Sequence, residues 1–242
     1  MASLVGESLV TVGLVALLFV AYELVGTGRV TAHAQAQLRH ELARDWSAGP
    51  GGAHRMPELD LSLPGVDVSP AHPLQPHYAH VPDGHPVAVL YLPALDQQYR
   101  FVVVEGVTPA DLTKGPGHYP GTALPGQPGN LVVSGHRTTY LAPFNRLDRL
   151  RPGDAVVFET AQAWWIYRVA GVPAYRLPYR EVVDPGDIGE TWPVPNRHGA
   201  SPTVAMATLT TCHPKYSARQ RLVVHAVYVR AIPKPTTDMV GR

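Results

Sequence analysis

One cysteine, Cys212, is the only thiol in the chain. A leftover cysteine in an exported protein is an intermolecular partner or a reactive nucleophile, while free cysteines in general are most often small buried hydrophobes. The neighbours of Cys212 decide between these readings. The stretch TLTTCHP (208–214) sets the thiol at the end of an apolar strand, and strand ends supported by a rigid sheet are common sites of chemistry. Eight residues, HPKYSARQ (213–220), separate Cys212 from a second strand, RLVVHAVYVRAI (221–232). If the two strands pair antiparallel around that turn, Arg221 falls opposite Cys212 with Cβ atoms ~5 Å apart. A guanidinium there favours the thiolate and offers donors to an oxyanion or a substrate carbonyl. Arg219 is the rival for this place, but it sits within the turn, where solvation is expected.

A cysteine nucleophile needs a partner that delivers a proton to the leaving group. NLVVSGHRTTY (130–140) ends a strand on Gly135 and His136. A histidine at a strand-to-loop junction, after a glycine that permits close approach, suits this role. Other histidines fit less well. His225 lies inside a strand and reads as packed. His213 adjoins the cysteine, so its side chain turns to the opposite face. His118, in the loop GPGHYPG (115–121), reads as a substrate-groove residue. Thr211 either supports the groove or is ordinary strand filling.

These groups must be carried by a β-rich domain. Gly 22 and Pro 25 in 242 residues argue for many turns and against a helical bundle. Candidate strands run over 86–93, 98–106, 130–136, 154–160, 163–172, 203–212 and 221–232, rich in Val, Tyr, Trp and Thr. Short helical pieces fit 108–115, with Thr108 as cap and Pro109 opening the turn, and 142–150. So many strands with so few helices indicate an all-β closed barrel or sandwich. A net charge of +1 with 16% charged residues excludes a nucleic-acid footprint.

The chain divides into four regions. Residues 1–28 read as a transmembrane signal-anchor, because 8–22 (SLVTVGLVALLFVAY) carry no charge and the run approaches the ~20 residues that span a bilayer. Arg29, Arg39 and Arg44 follow the span, against the positive-inside rule, but large downstream domains translocate despite flanking charge. Residues 29–85 read as a helix (29–46) and then a Pro/Gly/His-rich extracellular linker (47–85) that holds the domain off the membrane. Its five histidines (54, 72, 77, 80 and 85) are irregularly spaced, without a Cys or carboxylate frame, so no metal site is expected. Residues 86–232 form the expected catalytic domain and 233–242 a polar tail.

The combination resembles the sortase family. TLTTC (208–212) matches the sortase signature TLxTC, Arg221 at the head of RLVVHA matches the sortase arginine, and His136 in SGHR matches the sortase histidine. KGPGHYPGTALPGQPGN (114–130) and CHPKYSARQRLVV further resemble the class E sortases of high-GC Gram-positive bacteria. The resemblance implies an eight-stranded β-barrel, one strand more than the seven read above, and a cysteine transpeptidase without cofactor. It also implies that Cys212 attacks between Thr and Gly of an LPxTG-like sorting signal, LAxTG for class E, on secreted proteins. An amine of a peptidoglycan precursor then takes the acyl group. His136 is implied as acid and base and Arg221 as holder of the oxyanion or signal backbone. Tyr119 is a candidate for reading the signal's second residue, and equally a loop-packing ring. The implied place is the cell membrane, single-pass, with the catalytic domain outside. Papain- and caspase-like contexts are absent around Cys212, as is an SHGC-type L,D-transpeptidase motif. A membrane-tethered assembly domain with an inert Cys212 is the non-enzymatic alternative.

Overall fold

Alternation of apolar side chains across each strand sends neighbours to two different packing layers, and the layers are visible strand by strand. The computed structural model describes residues 2–22, 26–48 and 80–234. Its strands are β1 (Pro86–Tyr91), β2 (Arg100–Glu105), β3 (Gly117–His118), β4 (Gly129–Ser134), β5 (Ala155–Glu159), β6 (Ala163–Val169), β7 (Arg180–Val183), β8 (Ala205–His213) and β9 (Gln220–Pro233). From β6, for example, Trp165, Tyr167 and Val169 enter the central core with Leu90, Phe158, Leu131 and Leu209. Trp164 and Ile166 pack outward with Ala155 and Val157.

The sheet runs β6-β5-β1-β2-β3-β4-β8-β9, and β6 pairs again with β9, so eight strands close into a barrel. The closing strand β9 is long enough to serve two neighbours on one edge. Its residues 226–233 pair with β6, while Leu222, Val223 and Val224 pair with β7. All seven strands expected from the sequence are present. The two further ones, β3 and β7, are two and four residues long, too short to show a period of two.

A four-residue helix, α3 (Pro109–Leu112), opens as expected. Thr108 accepts from the Asp111 backbone and Asp111 reaches back to the Thr108 backbone, a reciprocal cap behind a proline. The helix expected over 142–150 is only a short 3-10 turn at Leu147–Arg149. Left-handed backbone at Tyr140, Leu141 and Ala142 (φ 54°, 60° and 43°) occupies the approach to it.

Two N-terminal helices precede the barrel: α1 (Ala2–Ala21) and α2 (Thr27–Ala48). The helix α2 is not a spacer. It buries Thr31, Gln35, Leu38, Leu42 and Trp46, at three- and four-residue spacing, one stripe of a helix. Leu38, Leu42 and Trp46 pack on Val89, Val102 and Val104, roughly 1.5–3 kcal/mol for each large side chain buried. Gln35 completes the seam: its amide nitrogen donates to the Val102 and Lys114 carbonyls at 2.9 and 2.8 Å, and its oxygen accepts from the Val102 N–H at 2.8 Å. The transmembrane segment expected over 1–28 is not shown. Among the described residues no helix is long and apolar enough to cross a membrane. Most of the expected linker, 49–79, and the tail from 235 lie outside the described residues.

Candidate active site

Three strand ends converge at one rim of the barrel. β8 and β9 pair antiparallel with Cys212 directly opposite Arg221, the rung expected from the eight-residue turn. β4 and β8 pair parallel, ending at Ser134 opposite Thr210. Two contacts carry that register onward: Gly135 N–H donates to the Thr210 carbonyl at 3.1 Å, and Thr211 Oγ1 donates to the Gly135 carbonyl at 2.7 Å. Extended by two residues, the register sets His136 alongside Cys212. Gly135 is required there, since a Cβ would lie 2.8 Å from the Phe144 ring. Thr211 is therefore a buried clasp between the two strand ends.

Cys212 is partly exposed, unlike the buried hydrophobe that most free cysteines are. Among the described residues nothing hydrogen-bonds the His136 ring; it stacks on Tyr140, with centroids 4.8 Å apart and planes at 32°. Burial lowers the His136 pKa from 6.5, so the resting imidazole is neutral at pH 7 and able to take a proton. The Arg221 guanidinium donates to the carbonyls of Ala218 and Gln220 at 3.1 and 3.0 Å. It caps its own turn while remaining on the rung opposite the thiol.

Sequence reasoning passed over Arg137. Its side chain is 5% exposed. Nη1 donates to the Cys212 carbonyl at 3.1 Å and meets His213 Nδ1 at 2.9 Å, and Nη2 pairs with Asp148 at 3.3 Å. It holds the backbone of the nucleophile from beneath. The only signal was its place directly after His136 in SGHR.

A partly exposed thiol on a rung with an arginine, near a strand end that carries a histidine, suits nucleophilic acyl transfer, and the comparisons with known proteins bear on which kind. A sortase-domain model matches residues 90–229. Sortase SrtE1 of Streptomyces coelicolor is 32% identical over 238 residues, covering 95% of this chain and 58% of that relative. The chain belongs to the sortase family. Sortases are cysteine transpeptidases. Among solved structures, the SrtF sortase of Corynebacterium diphtheriae aligns with a TM-score of 0.61 and 34% identity, over 66% of this chain and 92% of that one. Sortase E1 of Streptomyces coelicolor, solved with a tripeptide in its active site, aligns with a TM-score of 0.54 and 30% identity, over 68% and 97%. The Streptomyces neighbours are class E sortases, the class that the sequence resembles. This sortase spans somewhat over half the length of SrtE1.

Two of the expected substrate residues lie elsewhere in the sortase barrel. His118 lines no groove. It is 2% exposed, with Nδ1 on Glu105 at 2.7 Å and Nε2 against Thr122 Oγ1 at 2.8 Å and the Ala123 carbonyl at 3.1 Å. The β3–β4 pairing turned it inward (His118 opposite Val133), which no local pattern announces. Tyr119 is half-buried and its N–H donates to the Val132 carbonyl at 3.0 Å. That register leaves it four positions from His136, about 13 Å along the strand.

Proposed function

We propose that this sortase cleaves an LAxTG-like sorting signal between Thr and Gly and transfers the new carboxyl end to an amine of a cell-wall precursor. The reading is supported by the rim, where Arg221 stands on the Cys212 rung and the β4–β8 register ends at Ser134 opposite Thr210, two residues short of His136 on one strand and of Cys212 on the other. In the first half-reaction Cys212 Sγ bonds to the threonine carbonyl carbon, and the thiol proton passes to neutral His136. The tetrahedral oxyanion is met by the Arg221 guanidinium, which has to leave the turn carbonyls it caps. His136 then returns its proton to the glycine nitrogen as the C–N bond breaks, and a thioester remains. An amine attacks that thioester with His136 as base, and the regenerated thiol takes the proton.

Arg137 positions the nucleophile through its backbone carbonyl. Tyr119 is proposed to meet the leucine end of a bound signal, since in an extended LAxT the leucine lies three residues, about 10 Å, before the threonine. A tripeptide occupies the active site of Streptomyces coelicolor sortase E1, and a short extended peptide is the ligand proposed here. We further assign residues 86–232 as the catalytic domain. The placement proposed is outside the cell, at the membrane, with α1 bedded in lipid. Large apolar side chains exposed all round that helix, among them Leu9, Val12, Leu17 and Phe19, support the last point.

A peptide panel tests the core of this reading. LAxTG and LPxTG peptides are offered to the full chain, with Cys212→Ala as control. Expected are cleavage after threonine, faster turnover with Ala at the second position, and no product from the control. Cleavage by Cys212→Ala, or no cleavage of either peptide by the native chain, sinks it.

A further inference from the structure

Four rungs below Cys212 on the same hairpin, Thr208 pairs with His225, and the hydrogen bonds around them leave a charge unaccounted for. Asn130 Nδ2 donates to the carbonyls of Glu190 and Trp192 at 2.7 and 3.2 Å, which makes its Oδ1 the acceptor end. Thr208 Oγ1 gives its one proton to that Oδ1 at 2.6 Å. It can therefore only accept from His225 Nδ1, 3.2 Å away, so Nδ1 carries the hydrogen. A neutral His225 then aims the Nε2 lone pair at two carboxylates, Glu181 Oε1 at 3.0 Å and Glu190 Oε2 at 3.7 Å. Three electron-rich atoms cannot face one another without positive charge between them.

A second proton on Nε2 supplies one hydrogen bond, and Glu181 at 3.0 Å takes it. Glu190 Oε2 is then stranded: it has no hydrogen-bond partner, and its residue is only 5% exposed. A cation satisfies both oxygens and the imidazole together. Ligand distances of about 2.0–2.2 Å around a tetrahedral ion set its donors about 3.4 Å apart; the two imidazole–carboxylate separations, 3.0 and 3.7 Å, bracket that value, and all three donor atoms lie within 4.8 Å of one another. The outer contacts are also those of a metal centre. The imidazole's other N–H is fixed by Thr208, and Glu190 Oε1 accepts from Asn196 Nδ2 at 2.6 Å.

We propose that Glu181, Glu190 and His225 form a zinc-class divalent cation site. One imidazole with two carboxylates suits Zn²⁺, whereas Ca²⁺ takes oxygen donors throughout. The site joins three elements: β7 through Glu181, the 3-10 turn at Ile188–Thr191 through Glu190, and β9 through His225. Val183 on β7 pairs with Arg221, so the ion would pin the strand that flanks the active-site rim. The site stands whether or not the peptide specificity proposed above holds.

Metal content decides the matter. The full chain in detergent is dialysed against ZnCl₂ and its metal measured by mass spectrometry, with CaCl₂ as a parallel arm. Expected is one equivalent of zinc in the native chain and in Cys212→Ala, that equivalent lost in Glu190→Gln and Glu181→Gln, and no calcium uptake that depends on Glu190. Asn196→Ala keeps all three donors and should weaken zinc about 10- to 100-fold, which holds the test open if a Gln variant misfolds. Zinc uptake that is absent from the native chain, or equal in native, Glu190→Gln and Asn196→Ala chains, overturns the proposal. So does loss of the equivalent in Cys212→Ala, which would move the ion to the rim.

Discussion

The β8–β9 hairpin carries two histidine-containing clusters of opposite character. Around His225 both ring nitrogens face partners, and Thr208, Asn130 and Asn196 are tied into the same network. At the rim, four rungs away, the His136 ring has one aromatic neighbour and, among the described residues, no hydrogen bond. The difference follows from solvent. A buried polar group without a partner costs about 1–3 kcal/mol, so the interior pairs most of what it holds, with Glu190 Oε2 the exception in this cluster. A partly exposed group can wait in water for a substrate. His118 belongs with the first kind: paired on both nitrogens and shut inside the barrel. The histidine without a hydrogen bond, His136, is therefore the one to ask for chemistry.

Three measurements would break or sharpen this contrast. The largest effect is expected at the rim. His136→Ala should lower kcat/KM for the sorting peptide by roughly 10²–10⁴-fold and leave Tm near that of the native chain. A large fall in Tm with retained turnover would place His136 among the paired, structural histidines.

The middle effect lies inside. His118→Ala strands the Glu105 carboxylate and should cost about 1–3 kcal/mol in denaturant unfolding. Its kcat per folded molecule should stay within roughly two-fold of native, because the residue touches no reacting atom. A selective loss of kcat with unchanged stability would restore His118 to the substrate groove.

The smallest effect concerns pH. Burial lowers the His136 pKa below 6.5, so the unfolded chain binds the proton more readily than the folded one. Stability from this group is present above pH 6.5 and is lost as pH falls through the folded pKa. The acid limb of kcat/KM, which reports the free enzyme, should accordingly lie below pH 6.5. Tyr140→Ala removes the ring that shelters His136 and should move that limb upward, toward 6.5. An unmoved limb would mean that the stacking does not set the proton affinity.

Much of this molecule was legible along the chain. The seven long strands follow from the alternation and β-branched content of their segments. The cap at Thr108 and the proline that follows it were readable as residue types at fixed offsets. The Cys212–Arg221 rung follows from turn length alone, since an antiparallel pair around a short connection has few registers open to it. The family resemblance rested on those same local pieces, TLTTC, SGHR and RLVVHA.

What the tertiary structure decided is everything that depends on which distant segment becomes a neighbour. The β4–β8 pairing is parallel and joins residues 76 positions apart, Ser134 and Thr210, and the proposed partnership of His136 with Cys212 rests on that register. The same closure turned His118 inward and laid α2 on the barrel wall. It also set Arg137 beneath the nucleophile and gathered Glu181, Glu190 and His225 around one point. Local periodicity reports the face a residue presents, whereas burial and partnership are properties of the closed barrel. A lone cysteine and the arginine on its rung could be read from their own hairpin; the histidine proposed to work with them is carried by a strand from another part of the chain.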